Sequence, residues 1–188
     1  MSFNAQLRDL SPKQARVFCV AIAERMLPNY RIFAEQFDAE MYQKARAILD
    51  VAWEALIVPK VRVDFEKQAE KLLELQPDPV LDQSLASYLG LDAILAVEIC
   101  LLVSQKSDDE QVSISRLSRS TVARFLEVSE PEFVNMKLSE HPLMKYEHDC
   151  QNEILDYVLN NAELGSQSIK ELRQLIKAQE VSNIGLEL

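Results

Sequence analysis

Leu91-Asp92-Ala93-Ile94-Leu95-Ala96-Val97-Glu98-Ile99-Cys100-Leu101-Leu102-Val103 is the most apolar stretch of the chain. It is hydrophobic on nearly every helical face, as expected of a helix enclosed by other helices. At 13 residues, with Asp92 and Glu98 inside it, it falls short of the ~20 residues needed to cross a bilayer. The reading is a central core helix over about Leu91–Gln105, preceded by a helical region interrupted or kinked near Gly90.

The flanks carry helix signals in both directions. Ser11-Pro12-Lys13-Gln14 offers a capping serine, proline at the first helical position and a capping-box glutamine. The helix that follows aligns Val17, Phe18, Ala21, Ile22 and Met26. Pro28 ends it, and Tyr30, Phe33, Ala34 and Phe37 then repeat at helical spacing. Asp38 is expected to cap a longer helix whose stripe includes Ile48, Leu49, Ala52, Trp53 and Leu56. Residues 57–63 are β-branched but broken by Pro59, which suits an extended connector better than a paired strand. Asp64 opens a short helix to about Glu74. Beyond the core helix, Ser107-Asp108-Asp109-Glu110 reads as a loop or helix start, and a helix over about 110–128 follows. Ser129-Glu130-Pro131-Glu132 is another capping start. Ser139 opens a helix carrying Leu143, Tyr146, Cys150, Ile154 and Val158. Leu164-Gly165 closes that helix, Ser166 or Ser168 caps the last one, and the tail from Val181 does not continue it.

These signals give an all-α fold, a single compact bundle of roughly seven to nine helices in one domain over 1–188. Composition agrees. Glycine occurs 3 times in 188 residues, against an average near 7%, too few for the turns of β-sandwiches or the phosphate loops of α/β proteins. The 48% apolar content supplies a core.

Basic residues number 20 and acidic residues 30, a net charge of -10. The acid concentrates at 61–110, with 4 basic against 11 acidic residues. A nucleic-acid binder needs a basic stripe to neutralise phosphates. The expectation is therefore neither a nucleic-acid nor a membrane partner. Leu117-Ser118-Arg119-Ser120-Thr121-Val122-Ala123-Arg124-Phe125-Leu126 looks like the recognition helix of repressor-type proteins, but acids stand upstream and no glycine turn precedes it. It reads instead as a serine- and arginine-flecked solvent face over Ile114, Leu117 and Phe125. Cys19, Cys100 and Cys150 form no paired spacing and read as reduced thiols of a cytoplasmic protein.

Chemical motifs are sparse. His141 and His148 lie near Glu147, Asp149 and Asn152, but neither a Glu-x-x-His nor an i, i+4 histidine pair is present, so surface histidines and no metal or cofactor are expected. Asp92 and Glu98 in the core helix, and the pair Asp50 and Glu54, are carboxylates for which Arg25 and Arg46 are available partners. The residues with most potential are Arg25, Asn29, Tyr30, Trp53 and Glu54, near the junction of the first three helices. They form either a polar pocket or a corner network in which Arg25 pairs with Glu54, Asn29 satisfies backbone groups and Trp53 is core.

Several segments together resemble a known family. Glu24-Arg25-Met26-Leu27-Pro28-Asn29-Tyr30, Ile48-Leu49-Asp50 with Trp53-Glu54-x-Leu56, Asp92-Ala93 after Tyr88, and Ser182-Asn183-Ile184-Gly185 run in order and with similar spacing to the YjaG-like bacterial proteins, which carry a domain of unknown function. The arginine-to-tyrosine piece and the Ser-Asn-Ile-Gly tail are the most specific. Leu89 stands where relatives are expected to have proline. The resemblance implies a compact, helical, cytoplasmic protein of proteobacterial type and brings no activity, cofactor or catalytic residue. The leading expectation is a non-enzymatic module that binds another protein or itself. The alternative is a small-molecule binder or enzyme using the Arg25, Tyr30 and Glu54 region.

Overall fold

The computed structural model describes residues 1–105, 109–132, 137–161 and 163–187. Nine α-helices account for the architecture among these: α1 (Phe3–Arg8), α2 (Pro12–Met26), α3 (Tyr30–Phe37), α4 (Glu40–Ile57), α5 (Phe65–Leu73), α6 (Leu85–Gln105), α7 (Glu110–Ser129), α8 (Pro142–Asn160) and α9 (Ser166–Lys177). Short 3-10 turns at Leu27–Asn29 and Leu138–Glu140 join α2 to α3 and lead into α8. The only β-type pairing among the described residues is an isolated bridge between Val181 and Glu187.

Helix starts follow the caps written in the sequence. Ser11 accepts from the Gln14 backbone while the Gln14 side chain returns to the Ser11 N–H, a complete capping box that satisfies two otherwise orphan donors. Asp64 accepts from the Lys67 N–H at the head of α5. Three expectations are corrected. Asp38 does not cap α4; Ala39 holds that position, and Asp38 accepts from Glu40 N–H one step outside it. Gly165, in an extended conformation, caps the start of α9 in place of Ser166 or Ser168, and it does not close α8, where the left-handed residue that turns the chain is Leu164, at φ +39°. The sequence signals also missed α1, whose Leu7 is fully buried. The starts expected at Ser107 and beyond Pro131 run into residues 106–108 and 133–136, outside the described residues.

At the centre lies α6, packed against α2, α3, α4, α5 and α7. By length and composition alone, Leu85–Val103 could cross a membrane, but 67% of that segment is buried inside the fold. Ala93, Ile94, Ala96, Val97 and Cys100 are fully buried along it; each large aliphatic buried in this way contributes about 1.5–3 kcal/mol.

The helix is not interrupted at Gly90, because α6 is continuous from Leu85. The glycine is there for contact: a Cβ at position 90 would stand 2.9 Å from Cβ of Phe33 and 3.2 Å from Cγ of Pro77. Gly90→Ala therefore sets a helix-propensity gain of about 1 kcal/mol against an overpacking cost of about 1–3 kcal/mol. The clash is with a Cβ that cannot rotate away, so the net expected result is a loss of about 1 kcal/mol by urea unfolding. A stabilised variant would show that α3 moves aside freely.

Candidate polar centres at the end of helix α2

The last turn of α2 places two consecutive charged residues, Glu24 and Arg25, inside the protein, 5% and 1% exposed. Neighbouring helix positions diverge by about 100°, so the two serve different clusters.

Arg25 belongs to the first. Its Nη1 donates to Glu147 Oε2 on α8 at 2.5 Å, and Glu147 is fully buried. The other carboxylate oxygen, Oε1, accepts from Ser118 Oγ at 2.6 Å and from Gln151 Nε2 at 2.6 Å. Ser115 Oγ in turn donates to Gln151 Oε1 at 2.7 Å. The tail closes the cluster. Asn183 donates from Nδ2 to Ser118 Oγ at 3.0 Å, accepts from Asn29 Nδ2 at 2.7 Å, and its backbone N–H donates to the Arg25 carbonyl. Burial pulls the Arg25 guanidinium down, but the charge and hydrogen bond of Glu147, with Cys150 and Tyr146 beside it, together leave Arg25 above the usual arginine value.

Glu24 centres the second. Arg46 on α4 grips it bidentately at 2.9 and 2.8 Å, and Trp53 Nε1 donates to it at 2.6 Å. Arg173 and Lys177 on α9 approach it at 3.7 and 3.8 Å. Asp50 pairs with both Arg46 and Arg173, whose guanidinium also lies over the Trp53 ring. A cleft of about 260 Å³ opens beside this cluster, lined by Glu24, Arg25, Tyr42, Arg46, Ile176 and Lys177, with Pro28 and Val181 completing the wall.

The five residues singled out from sequence are thus divided. Arg25 and Asn29 join the first cluster, and Trp53 the second. Tyr30 is fully buried and donates to the Leu75 carbonyl at 2.5 Å, beside Phe33. Glu54 is exposed on α4. Arg25 pairs with Glu147 in place of Glu54, and Asn29 meets the Asn183 side chain in place of backbone groups.

The serine- and arginine-bearing part of α7 is divided: Arg116 and Ser120 face solvent as expected, but three of its hydroxyls do not. Ser115, Ser118 and Thr121 are all fully buried. Thr121 Oγ1 and Arg124 Nη1 both donate to Asp92 at 2.9 Å, and Arg124 stacks over Tyr88. A helix whose hydroxyls point inward joins buried polar groups to one another, since each such group needs a partner. His141 also departs from the surface reading, since its side chain is only 11% exposed. It accepts from the Leu143 N–H through Nδ1 and reaches Glu130, which makes it the cap of α8. His148 is exposed. Among the described residues no group of three or more His, Cys, Asp or Glu side chains is placed to hold a metal ion.

Burial raises the Asp92 carboxyl above its ordinary value of 3.8, with Arg124 and Thr121 offsetting only part of that shift. A carboxyl raised in the folded state favours the protonated form, so folding stability falls as pH rises from 3.8 through the raised value. Asp92→Asn should abolish this component: in urea titrations at stepped pH, its stability relative to wild type should rise across that window. An identical slope for the two proteins would place the titration elsewhere.

Two other recesses are larger. One of about 350 Å³ lies between α4 and α5, lined by Lys44, Ile48, Val51, Gln68, Lys71 and Leu75. Another of about 540 Å³ is lined by Arg119, Leu138, Met144, Lys145, His148 and Asp149. Neither is backed by a buried charge cluster of the kind behind the α2–α4–α9 cleft.

Comparison with known proteins places these features in a wider set. A family described as a protein of unknown function (DUF416) matches residues 2–187. An uncharacterised protein of Escherichia coli K12, YjaG, is 32% identical over 187 residues, covering 97% of this chain and 95% of that protein. An uncharacterised protein of Haemophilus influenzae is 29% identical over 188 residues, covering 98% and 96%. The crystal structure of a DUF416 family protein from Shewanella baltica superposes with a TM-score of 0.86 at 30% identity, covering all of both chains.

Proposed function

We propose, for a chain that belongs to the DUF416 family of proteins of unknown function, that it acts by binding a small molecule in the cleft between α2, α4 and α9. One observation carries this reading. Glu24, Arg25, Tyr42, Arg46 and Lys177 meet in a recess whose remaining wall is Pro28, Ile176 and Val181. An apolar wall with a few convergent polar groups is the usual make-up of a small-ligand site. The larger recesses also carry polar groups, but theirs are not held by a buried ion-pair cluster such as the one around Glu24. The polar groups here are also fixed in place, since Glu24 is held by Arg46 and Trp53 before any ligand arrives, and a preorganised site loses less entropy on binding.

Native mass spectrometry of the protein purified gently from its own cells tests this. Wild type should retain a non-covalent adduct of a few hundred daltons or less, and Val181→Trp, which fills the cleft from its rim, should lose it. An adduct that persists in the variant would move the site elsewhere.

A protein partner is a second reading, favoured by Val80 and Leu81, adjacent aliphatics 84% and 85% exposed. Sedimentation velocity comparing wild type with the double variant V80S/L81S decides whether that pair mediates self-association. Equal, monomeric profiles for both would remove self-association from this reading.

A further inference from the structure

We infer that the ligand of the α2–α4–α9 cleft is a small organic monocarboxylate, an inference that rests on the cleft being a ligand site. The argument starts from charge. Arg46, Arg173 and Lys177 converge on Glu24 and Asp50, so three cations face two carboxylates. Arg25 does not add to the excess, because Glu147 neutralises it on the other side of α2. One positive charge is left uncompensated at the mouth of a cleft, in a chain whose net charge is -10. An anion is the natural counterweight. Nε of Arg46, which lines the cleft, is buried without a hydrogen-bond partner, as is Nε of Arg173 behind Glu24, so the cluster holds donor capacity that its own carboxylates leave unused.

The size of the surplus selects the class of anion. A carboxylate brings one charge and balances the cluster. A phosphate monoester brings close to two, which would leave an excess negative charge beside Glu24. The bidentate face of Arg46, the group best shaped for phosphate, is already taken by Glu24. Lys177, about half exposed and only 3.8 Å from Glu24, is the cation free to turn toward a newcomer. Tyr42 supplies a hydroxyl, which is protonated at neutral pH.

The rest of the wall selects the body of the ligand. Pro28, Ile176 and Val181 offer carbon surface to an apolar group. A volume of about 260 Å³ holds about nine water-sized groups at ~30 Å³ each, which is the scale of a ring or short chain bearing one carboxylate.

Trp53 is the only tryptophan and is hydrogen-bonded to Glu24, so its fluorescence reports on the cleft without a label. The probes are benzoate, benzyl alcohol and inorganic phosphate, titrated into the whole protein at low salt. Benzoate should give a saturable change, benzyl alcohol should bind at least tenfold more weakly, and phosphate should give none. Lys177→Gln, at an exposed position, should weaken benzoate about fivefold to tenfold, and raising the salt should do likewise. Equal binding of benzoate and benzyl alcohol would overturn the anion inference and leave the cleft as a ligand site. Binding of phosphate in place of benzoate would overturn the monocarboxylate. Silence with all three probes, repeated by calorimetry, would bring down the cleft itself.

Discussion

Glu147→Leu should cost about 3–5 kcal/mol of folding stability, the range for removing one partner of a buried ion pair. For a chain of this length that corresponds to a Tm lower by on the order of 10 °C. The size comes from what remains. Arg25 is 1% exposed, and without Glu147 its guanidinium is an unpaired charge away from water. Ser118 and Gln151 lose the acceptor that both of them share. The pair as a whole is a different matter, because desolvating two charges offsets much of their attraction. The double variant R25M/E147L should therefore recover at least half of the loss. Urea unfolding with unchanged m-value measures both. A single variant within 1 kcal/mol of wild type would mean that water reaches Arg25.

Asn183→Leu is expected to cost about 2–3 kcal/mol. The substitution keeps the branched shape, though with more bulk, and removes a side chain that accepts from Asn29 and donates to Ser118. Leaving buried partners unsatisfied costs about 1–3 kcal/mol, and here two are left. The tail is otherwise anchored by Ile184, buried with Leu89, Val122 and Leu126, and by the Ser182 hydroxyl, which accepts from the Ile184 and Leu186 N–H groups. It is also fixed by the backbone bond from Asn183 to Arg25, the bond from Ser182 N–H to the Leu186 carbonyl, and Gly185 at φ +76°. Hydrogen exchange over residues 182–187 should therefore quicken more than exchange in α6, which separates release of the tail from global destabilisation. Uniform acceleration along the chain would contradict the view that Asn183 pins the tail.

The elements written in local chemistry were legible. The capping box at Ser11, the Asp64 cap and the uninterrupted hydrophobicity of α6 each act within a few residues, and all three are found in place. What escaped was set by distance in sequence. Arg25 and Glu147 are 122 residues apart, and Asn29 and Asn183 are 154 apart; only the packing of α2, α7, α8 and the tail brings them together. A local reading pairs Arg25 with the nearest suitable acid, Glu54, which α4 turns to solvent.

The hydroxyls of α7 were misread for a related reason. Ser115, Ser118 and Thr121 are polar, and polar residues on a helix usually face water. The signal that could have found them lies on another helix. Glu147 and Gln151 stand at i, i+4 in the stripe of α8 that also carries Cys150 and Ile154, and a carboxylate inside an apolar stripe demands donors from a neighbour. The second cluster is half visible: Trp53, Arg46 and Asp50 stand out in the sequence, but Arg173 and Lys177 enter it from α9, and Glu24 stands out only within the Glu24–Tyr30 segment. Gly90 shows the same limit. A glycine in a helical pattern suggests a kink, and only the approach of Phe33 reveals that it is a packing position.

The most direct test of the cleft as a ligand site is amide NMR of the intact protein during titration with benzoate. The account predicts saturable shifts concentrated at residues 24–28, 42–46 and 176–181, with the Trp53 indole N–H moving in step. Shifts confined to the recess around Arg119, Met144 and Lys145, or no saturable shift at all, would contradict it.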